Sequence, residues 1–331
     1  MDVLSDLLHR ARAEHTRVHQ LVQRPPWSVA FADPPALTVV AALDGPASVR
    51  FAEHPADAPA PAAPTTPLVS AAPLVPVLLA PGDLALIRGD AGRYVLADRP
   101  GTAPQVLIRA GTKQVLDPAV AADRSLGPRT YGDGLPGATT LLHGAYDFRG
   151  AAGAHLLGLL PPVAVVPAGD GTRAALRLLA AETARREPGQ EVVLDRLLDL
   201  VLALAVRAWY TRPDTELPSW PAALGVPAVG EAIRLLHAEP DRRWTVAELA
   251  ARVGRSRTAF AAQFTRAVGE PPLAHLTAWR MVLAADLLRD TELTVSAVAH
   301  RVGYQDAFAF STAFKRTRGL TPSAWREQHA D

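Results

Sequence analysis

The chain of 331 residues contains no cysteine. That excludes disulfides, thiolate metal ligands and any thiol-based redox switch. Methionine occurs only as Met1 and Met281, which leaves little for a sulfoxide switch to act on. Long apolar runs are also missing. The longest uncharged apolar stretch in the helical part, Leu200 to Val206, is too short to span a bilayer, and Asp195, Arg196, Asp199 and Arg207 surround it. The opening MDVLSDLLHR carries acids and has no basic region ahead of an apolar core, so no secretory signal is read. These absences point to a cytoplasmic protein with no membrane partner.

Charge of one sign is scarce as well, with 34 Lys and Arg against 33 Asp and Glu for a net charge of +1. The near-balance hides an asymmetry. From Pro227 onward there are fourteen basic and eleven acidic residues, a local excess of +3, and the remainder carries −2. A mild basic bias is compatible with nucleic acid, although solvated helices show the same. The length suits two domains rather than one.

Along the chain the periodicity changes twice. Apolar residues at helical spacing from Val3 to Leu21 predict an amphipathic opening helix, stopped by Pro25-Pro26. From Trp27 to Phe148 short β-like runs alternate with turn signals, at Trp27–Phe31, Leu37–Leu43, Ser48–Phe51, Val75–Leu79, Leu84–Ile87, Tyr94–Leu96, Val106–Ile108 and Thr139–His143. Many short strands at this spacing predict a sandwich or small barrel. His54 to Pro67, rich in Pro and Ala, reads as a surface loop. Helical patterns then return at Ala152–Leu160, Arg173–Arg186 and Glu191–Tyr210. The proline-rich stretch 211–226 reads as a linker between residues 1–210 and 227–331.

The strongest signal is an internal repeat. Trp244 to Gly254 followed by Arg255 to Phe264 recurs about fifty residues later as Leu293 to Gly303 followed by Tyr304 to Phe314. Each copy has a capping threonine (Thr245, Thr294), a small residue where two helices cross (Ala250, Ala299) and a turn glycine (Gly254, Gly303). Each continues into a second helix, capped by Ser256 or Asp306, with aromatics four apart (Phe260/Phe264, Phe310/Phe314). The phenylalanines would face the core, leaving the opposite face free to enter a major groove.

The stretches WTVAELAARVGRSRTAFAAQF, AWRMVLAADLL, VGYQDAFAFSTAFKR and GLTPSAWR resemble the AraC/XylS family of bacterial regulators over about a hundred residues. The resemblance implies that Ser256–Ala267 and Asp306–Thr317 are two recognition helices entering successive major grooves of double-stranded DNA. On the first, Ser256, Arg257, Thr258, Ala261, Ala262 and Arg266 are the expected DNA-facing residues. Arg257 is suited to a guanine edge. On the second they are Gln305, Ala307, Phe308, Ser311, Thr312, Lys315 and Arg316. Phe308 either meets thymine methyls or fills core space, and Lys315, Arg316 and Arg318 suit phosphates.

LAPGDLALIRG, YVLADRPGT and LLHGAYDF followed by LLGLLPPV are similar to the cupin-like sensor domain that precedes this DNA-binding domain in one branch of the family. The resulting expectation is an α+β chain: an N-terminal cupin-like β-barrel with packed helices, then an all-α double helix-turn-helix domain. Arg88, Tyr94 and His143 are candidate contacts for a small-molecule effector. His143 also reads as a hydrogen-bonded structural residue, and Arg88 as half of a surface ion pair. The chain has no HxH pair of the kind metal-dependent cupins use. His15 and His19 have metal-compatible helical spacing but no third ligand. No metal, cofactor or catalytic residue is therefore expected. The helix Glu191–Tyr210 offers either a homodimer surface or packing against its own barrel. Two other readings stay open: a metal-dependent cupin enzyme with a DNA anchor, and a DNA-binding protein whose barrel only dimerises.

Overall fold

The computed structural model describes residues 3–11, 13–51, 75–117, 124–148, 150–212 and 220–329. Helix α1 (Val3–Arg10) leads into strand β1 (Ala13–Gln23), followed by β2 (Ser28–Phe31), β3 (Leu37–Ala42), β4 (Ala47–Phe51) and β5 (Val77–Leu79). Next come β6 (Leu84–Arg88), β7 (Tyr94–Ala97), β8 (Val106–Arg109), β9 (Thr112–Val115), β10 (Arg124–Gly127), β11 (Thr130–Gly132) and β12 (Thr139–Phe148). Helix α2 (Gly150–Gly158) separates β12 from β13 (Val163–Val166), and α3 (Asp170–Thr183) and α4 (Gln190–Tyr210) follow. The rest is helical: α5 (Trp220–Ala223), α6 (Pro227–Ala238), α7 (Val246–Arg252), α8 (Arg257–Val268), α9 (Pro272–Asp290), α10 (Val295–Arg301), α11 (Ala307–Arg318) and α12 (Pro322–His329).

Two compact units result, and they do not follow chain order. A β-rich unit comprises residues 13–148 and 160–209, and a helical unit comprises 1–12, 149–159 and 210–331.

In the β-rich unit the described strands form two sheets rather than a closed barrel. Their orders are β10-β11-β1-β12-β3-β6-β13 and β5-β4-β7-β2-β8-β9. Trp27, Val40, Val49, Leu79, Ile87, Tyr94, Leu96 and Leu141 from both sheets make one buried cluster, so the core lies between them. The other face of the first sheet is covered by α3 and α4. Tyr146 donates its hydroxyl to Leu198 O at 2.8 Å, Gln20 donates to Ala180 O at 2.5 Å, and Thr16 bonds Asp195. A Cβ at Gly144 would come within 2.9 Å of the Leu198 side chain, so a glycine here lets α4 lie close to the sheet.

The opening helix is shorter than its periodicity suggests. It ends at Arg10, and residues 13–23 are a strand. Thr16, Val18 and Gln20 alternate toward the helices, and this period of two outweighs the sparse helical matches between Ala11 and Leu21. His15 and His19 therefore lie on an extended backbone, roughly 13 Å apart along the chain at ~3.3 Å per residue. Helical spacing does not bring them together. Residues 54–67 lie outside the described residues. Of the stretch 211–226, residues 220–223 are helical, with Trp220 buried. Among the described residues no helix is long and apolar enough to cross a membrane.

Candidate nucleic-acid interface

Both repeats fold as the sequence implies, and each cap is a specific hydrogen bond. Thr245 Oγ1 accepts from Glu248 N at 3.1 Å, and Thr294 Oγ1 from Ala297 N at 3.2 Å. Ser256 Oγ accepts from Ala259 N at 3.3 Å at the start of α8. Asp306 accepts from Phe308 N and Ala309 N at 3.1 and 2.9 Å at the start of α11. Those two amides stabilise the Asp306 carboxylate and hold its pKa below the usual value. The turn glycines Gly254 and Gly303 have φ of +64° and +86°, the left-handed region that folds one helix onto the next. Ala250 and Ala299 are buried at the crossings, and Phe260, Phe264, Phe310 and Phe314 have no exposed surface.

With the phenylalanines inward, the opposite faces are open. On α8 and its cap, Ser256, Arg257, Thr258, Ala262 and Arg266 are exposed and Ala261 is partly so. On the second copy, Gln305, Thr312, Lys315 and Arg316 are exposed, with Ala307 and Ser311 partly covered. Phe308 is 80% exposed and fills no core space. The hydroxyls of Ser311 and Thr312 donate to Ala307 O and Phe308 O, at 2.7 and 3.0 Å, one turn back on their own helix. Arg318 does not join Lys315 and Arg316. Its guanidinium lies 5.8 Å from the centre of the Trp325 ring, and desolvation lowers its pKa.

Helix α9 organises both copies, since α8, α10, α11 and α12 all pack on it. Arg280 on α9 donates to Pro240 O at 2.6 Å and Arg242 O at 2.8 Å, and lies 5.7 Å from the Tyr304 ring centre. Arg326 donates to Leu288 O at 3.1 Å and also bonds Leu293 O, satisfying carbonyls where α9 ends. Neither arginine stands out in the sequence. Each lies in a stretch quoted for the family resemblance, but only the fold reveals carbonyl partners up to forty residues away.

In the β-rich unit the three candidate effector contacts separate into two groups. Tyr94 Oη lies 3.3 Å from His143 Nε2, and the Phe31 ring stacks 4.8 Å from both rings. Burial, then the nearby His19 and Arg17, push the His143 pKa down to about 4, so its imidazole is neutral near pH 7. His19 stands opposite His143 in the β1–β12 register, and its pKa is lowered by burial, Arg129 and Arg17. Arg88 points the other way. Ala85 and Ile87 belong to the inter-sheet core, so the alternation of β6 turns Arg88 to the opposite face. There it donates to Leu160 O and Asp90 Oδ1, both at 2.8 Å. Among the described residues no group of three His, Asp or Glu side chains is arranged to hold a metal ion.

The architecture is thus an inter-sheet core followed by duplicated helix-turn-helix hairpins. Residues 2–211 match the family described as Cupin, and the chain belongs to that family. Residues 249–328 match the family described as Helix-turn-helix domain. A putative AraC-like transcription regulator of Streptomyces antibioticus is 37% identical over 191 residues, 56% of this chain and 63% of the relative. The HTH-type transcriptional regulator AlkR of Acinetobacter baylyi is 37% identical over 156 residues, 47% of this chain and 51% of the relative. The chain thus spans less than two thirds of the length of these curated relatives. Among solved structures, the C-terminal domain of AraT, a response regulator from Geobacillus stearothermophilus, is 30% identical. That match covers 32% of this chain and 88% of the other, with a TM-score of 0.31. The AraC-type resemblance drawn from the sequence is borne out by the family matches and the named relatives.

Proposed function

We propose that this protein is a cytoplasmic, sequence-specific transcription regulator that binds double-stranded DNA through residues 227–331. Residues 1–210 sense a small molecule and dimerise, and 211–226 connect the two parts. The observation that carries the reading is the pair of recognition helices, each with its phenylalanines buried and its opposite face open. Arg257 and Thr258 read bases in one major-groove segment, and Gln305 and Phe308 read them in the next. Ser256, Ala261, Ala262 and Arg266 on one side, and Ala307, Ser311, Thr312, Lys315 and Arg316 on the other, complete the contact surface. Long cations that reach phosphate fix the register, and base-edge contacts set the sequence.

Tyr94 and His143 form the effector contact. Arg88, committed to Leu160 and Asp90 on the opposite face of β6, supports the fold instead. Nothing about the neutral, aromatic-packed His143 calls for catalysis, and the relatives are named as transcription regulators. We therefore assign no enzymatic activity. A second copy of the chain is the partner of α4. Val193, Leu197, Leu200 and Leu204 follow i, i+4, i+7, i+11 spacing on this helix, and Val193 and Leu200 are 44% and 43% exposed.

The test is selection of duplexes from a random pool by the full chain. The expected product is a motif in two segments about ten base pairs apart, one helical turn. Arg257→Ala should erase base preference in one segment only. A folded chain that enriches no motif at low salt ends the proposal.

A further inference from the structure

Helices α1 and α2 come from the part of the sequence that matches the cupin family, yet both are built into the helical unit. Their roots in the chain are adjacent. Ala13, just after α1, is the strand partner of Phe148, just before α2, at one end of the β1–β12 ladder. That ladder carries His19 and His143.

Within the helical unit α2 packs on α9, the helix that supports both hairpins. Ala151, Ala152 and Leu156 of α2 are buried, as are Met281, Val282, Ala284, Ala285 and Leu288 of α9. Small residues on both helices permit close approach of the axes. The start of α2 is pinned by Asp286 of α9, whose Oδ1 accepts from Ala151 N at 2.7 Å. A carboxylate at a helix N-terminus answers both the unpaired amides and the helix dipole. Gly150 has φ +90°, and a Cβ there would collide with Arg289 and Asp286. The end of α2 is held by Tyr210, which donates to Leu159 O at 2.7 Å. Helix α1 adds buried Val3 and Leu7 and packs on α2 and α6. The docked α2 leaves the recognition faces open, so it is no steric block.

We infer that α2 is the element through which the β1–β12 ladder controls DNA binding. Docked on α9, it braces the two hairpins at the spacing DNA requires, and undocking weakens binding. Asp286 is the positioning residue of this brace. The inference rests on the proposal that the chain binds DNA.

The absence of cysteine makes a direct test possible. Leu156→Cys places the chain's one thiol at a site with no exposure, where maleimide reacts only when α2 leaves α9. Ala152→Cys does the same with a smaller change in packing volume. The probe is the duplex enriched by the wild-type chain. By reciprocity of coupling, saturating duplex should slow labelling of the full-length chain by about tenfold. Adding Asp286→Ala should speed labelling of the free chain and weaken duplex binding by about tenfold. Asp286→Asn, whose amide oxygen still accepts from Ala151 N but which lacks the charge, should fall between the parent and Asp286→Ala. Labelling that ignores duplex in both backgrounds overturns the brace, as does unchanged affinity once labelling has sped up. If the wild type enriches no duplex, DNA binding itself fails, and this failure is distinguishable from the other.

Discussion

His237 and His275 meet through their Nε2 atoms, 3.0 Å apart, in the buried centre of the helical unit. Glu270 Oε1 lies 3.0 Å from His275 Nδ1, so in the arrangement where Nδ1–H donates to it and the ring is neutral, His275 Nε2 accepts from the N–H on His237 Nε2. His237 Nδ1 is then a bare lone pair, buried and without a partner. A second proton on His237 would place an N–H in that unpartnered site.

Acid should therefore destabilise this unit. Burial, with His275 and Arg318 nearby and Glu270 opposing them, lowers the His155 pKa to about 4. Burial, His275, His155 and Arg10 lower that of His237 further. Below the unfolded value of 6.5 the unfolded chain binds protons that the folded unit refuses, so stability falls with falling pH. His155 alone contributes a loss on the order of 3 kcal/mol between pH 6.5 and 4. Melting followed by tryptophan fluorescence should show a falling Tm across that window, and His155→Gln should flatten it. A Tm independent of pH from 7 to 4 would contradict the burial argument.

Phe308→Ala should leave the Tm nearly unchanged, because an exposed side chain adds little to folding. It should weaken operator binding by about 1 kcal/mol or more, the scale of one base-edge contact. Replacing operator thymines by deoxyuridine, which removes the methyl groups, should cost the wild type the same amount and the variant nothing. Equal losses for both proteins would remove Phe308 from readout.

Lys315 and Arg318 should part company in a salt titration. Lys315→Ala should reduce the slope of log affinity against log salt by about 1, since one phosphate contact is lost. Arg318→Ala should lower the melting temperature instead, through its packing on Trp325, and leave the slope intact.

Leu200→Glu should leave the chain monomeric where the wild type sediments as the proposed dimer, without loss of helix or sheet, as sedimentation and circular dichroism would report. A dimer that survives both this change and Val193→Glu places the interface elsewhere.

Gly303→Ala should destabilise the helical unit more than Gly254→Ala. Both positions need positive φ, costing an alanine roughly 1–2 kcal/mol. A Cβ at Gly303 would also meet Asp241 backbone and Arg280 at 2.6–2.7 Å, whereas none lies within 4 Å at Gly254. Denaturant midpoints of the two variants give the comparison.

The repeated hairpins were legible because each cap, glycine and phenylalanine acts on neighbours within a few residues. The strands from Ser28 to Ala97 were legible for the same reason, bounded by turns that the local chemistry demands. β1 was misread because its apolar residues also satisfy a helical pattern, and only pairing with β12 decides the matter. Short β13 was missed beside its prolines, because its partner β6 lies far back in the chain. The candidate effector site was half legible. Tyr94 and His143 do meet, but the side to which Arg88 points depends on the register of β6 between β3 and β13. Arg318 read as a surface cation because nothing local reveals the Trp325 ring beneath it.

The interleaved construction of the helical unit also bears on its synthesis. Residues 3–10 and 150–158 leave the ribosome well before α9 exists to receive them. Until then the sides of α1 and α2 that pack on α6 and α9 are uncovered. A polypeptide released early, with its sheets complete and α9 missing, would display this bare surface to chaperones and proteases.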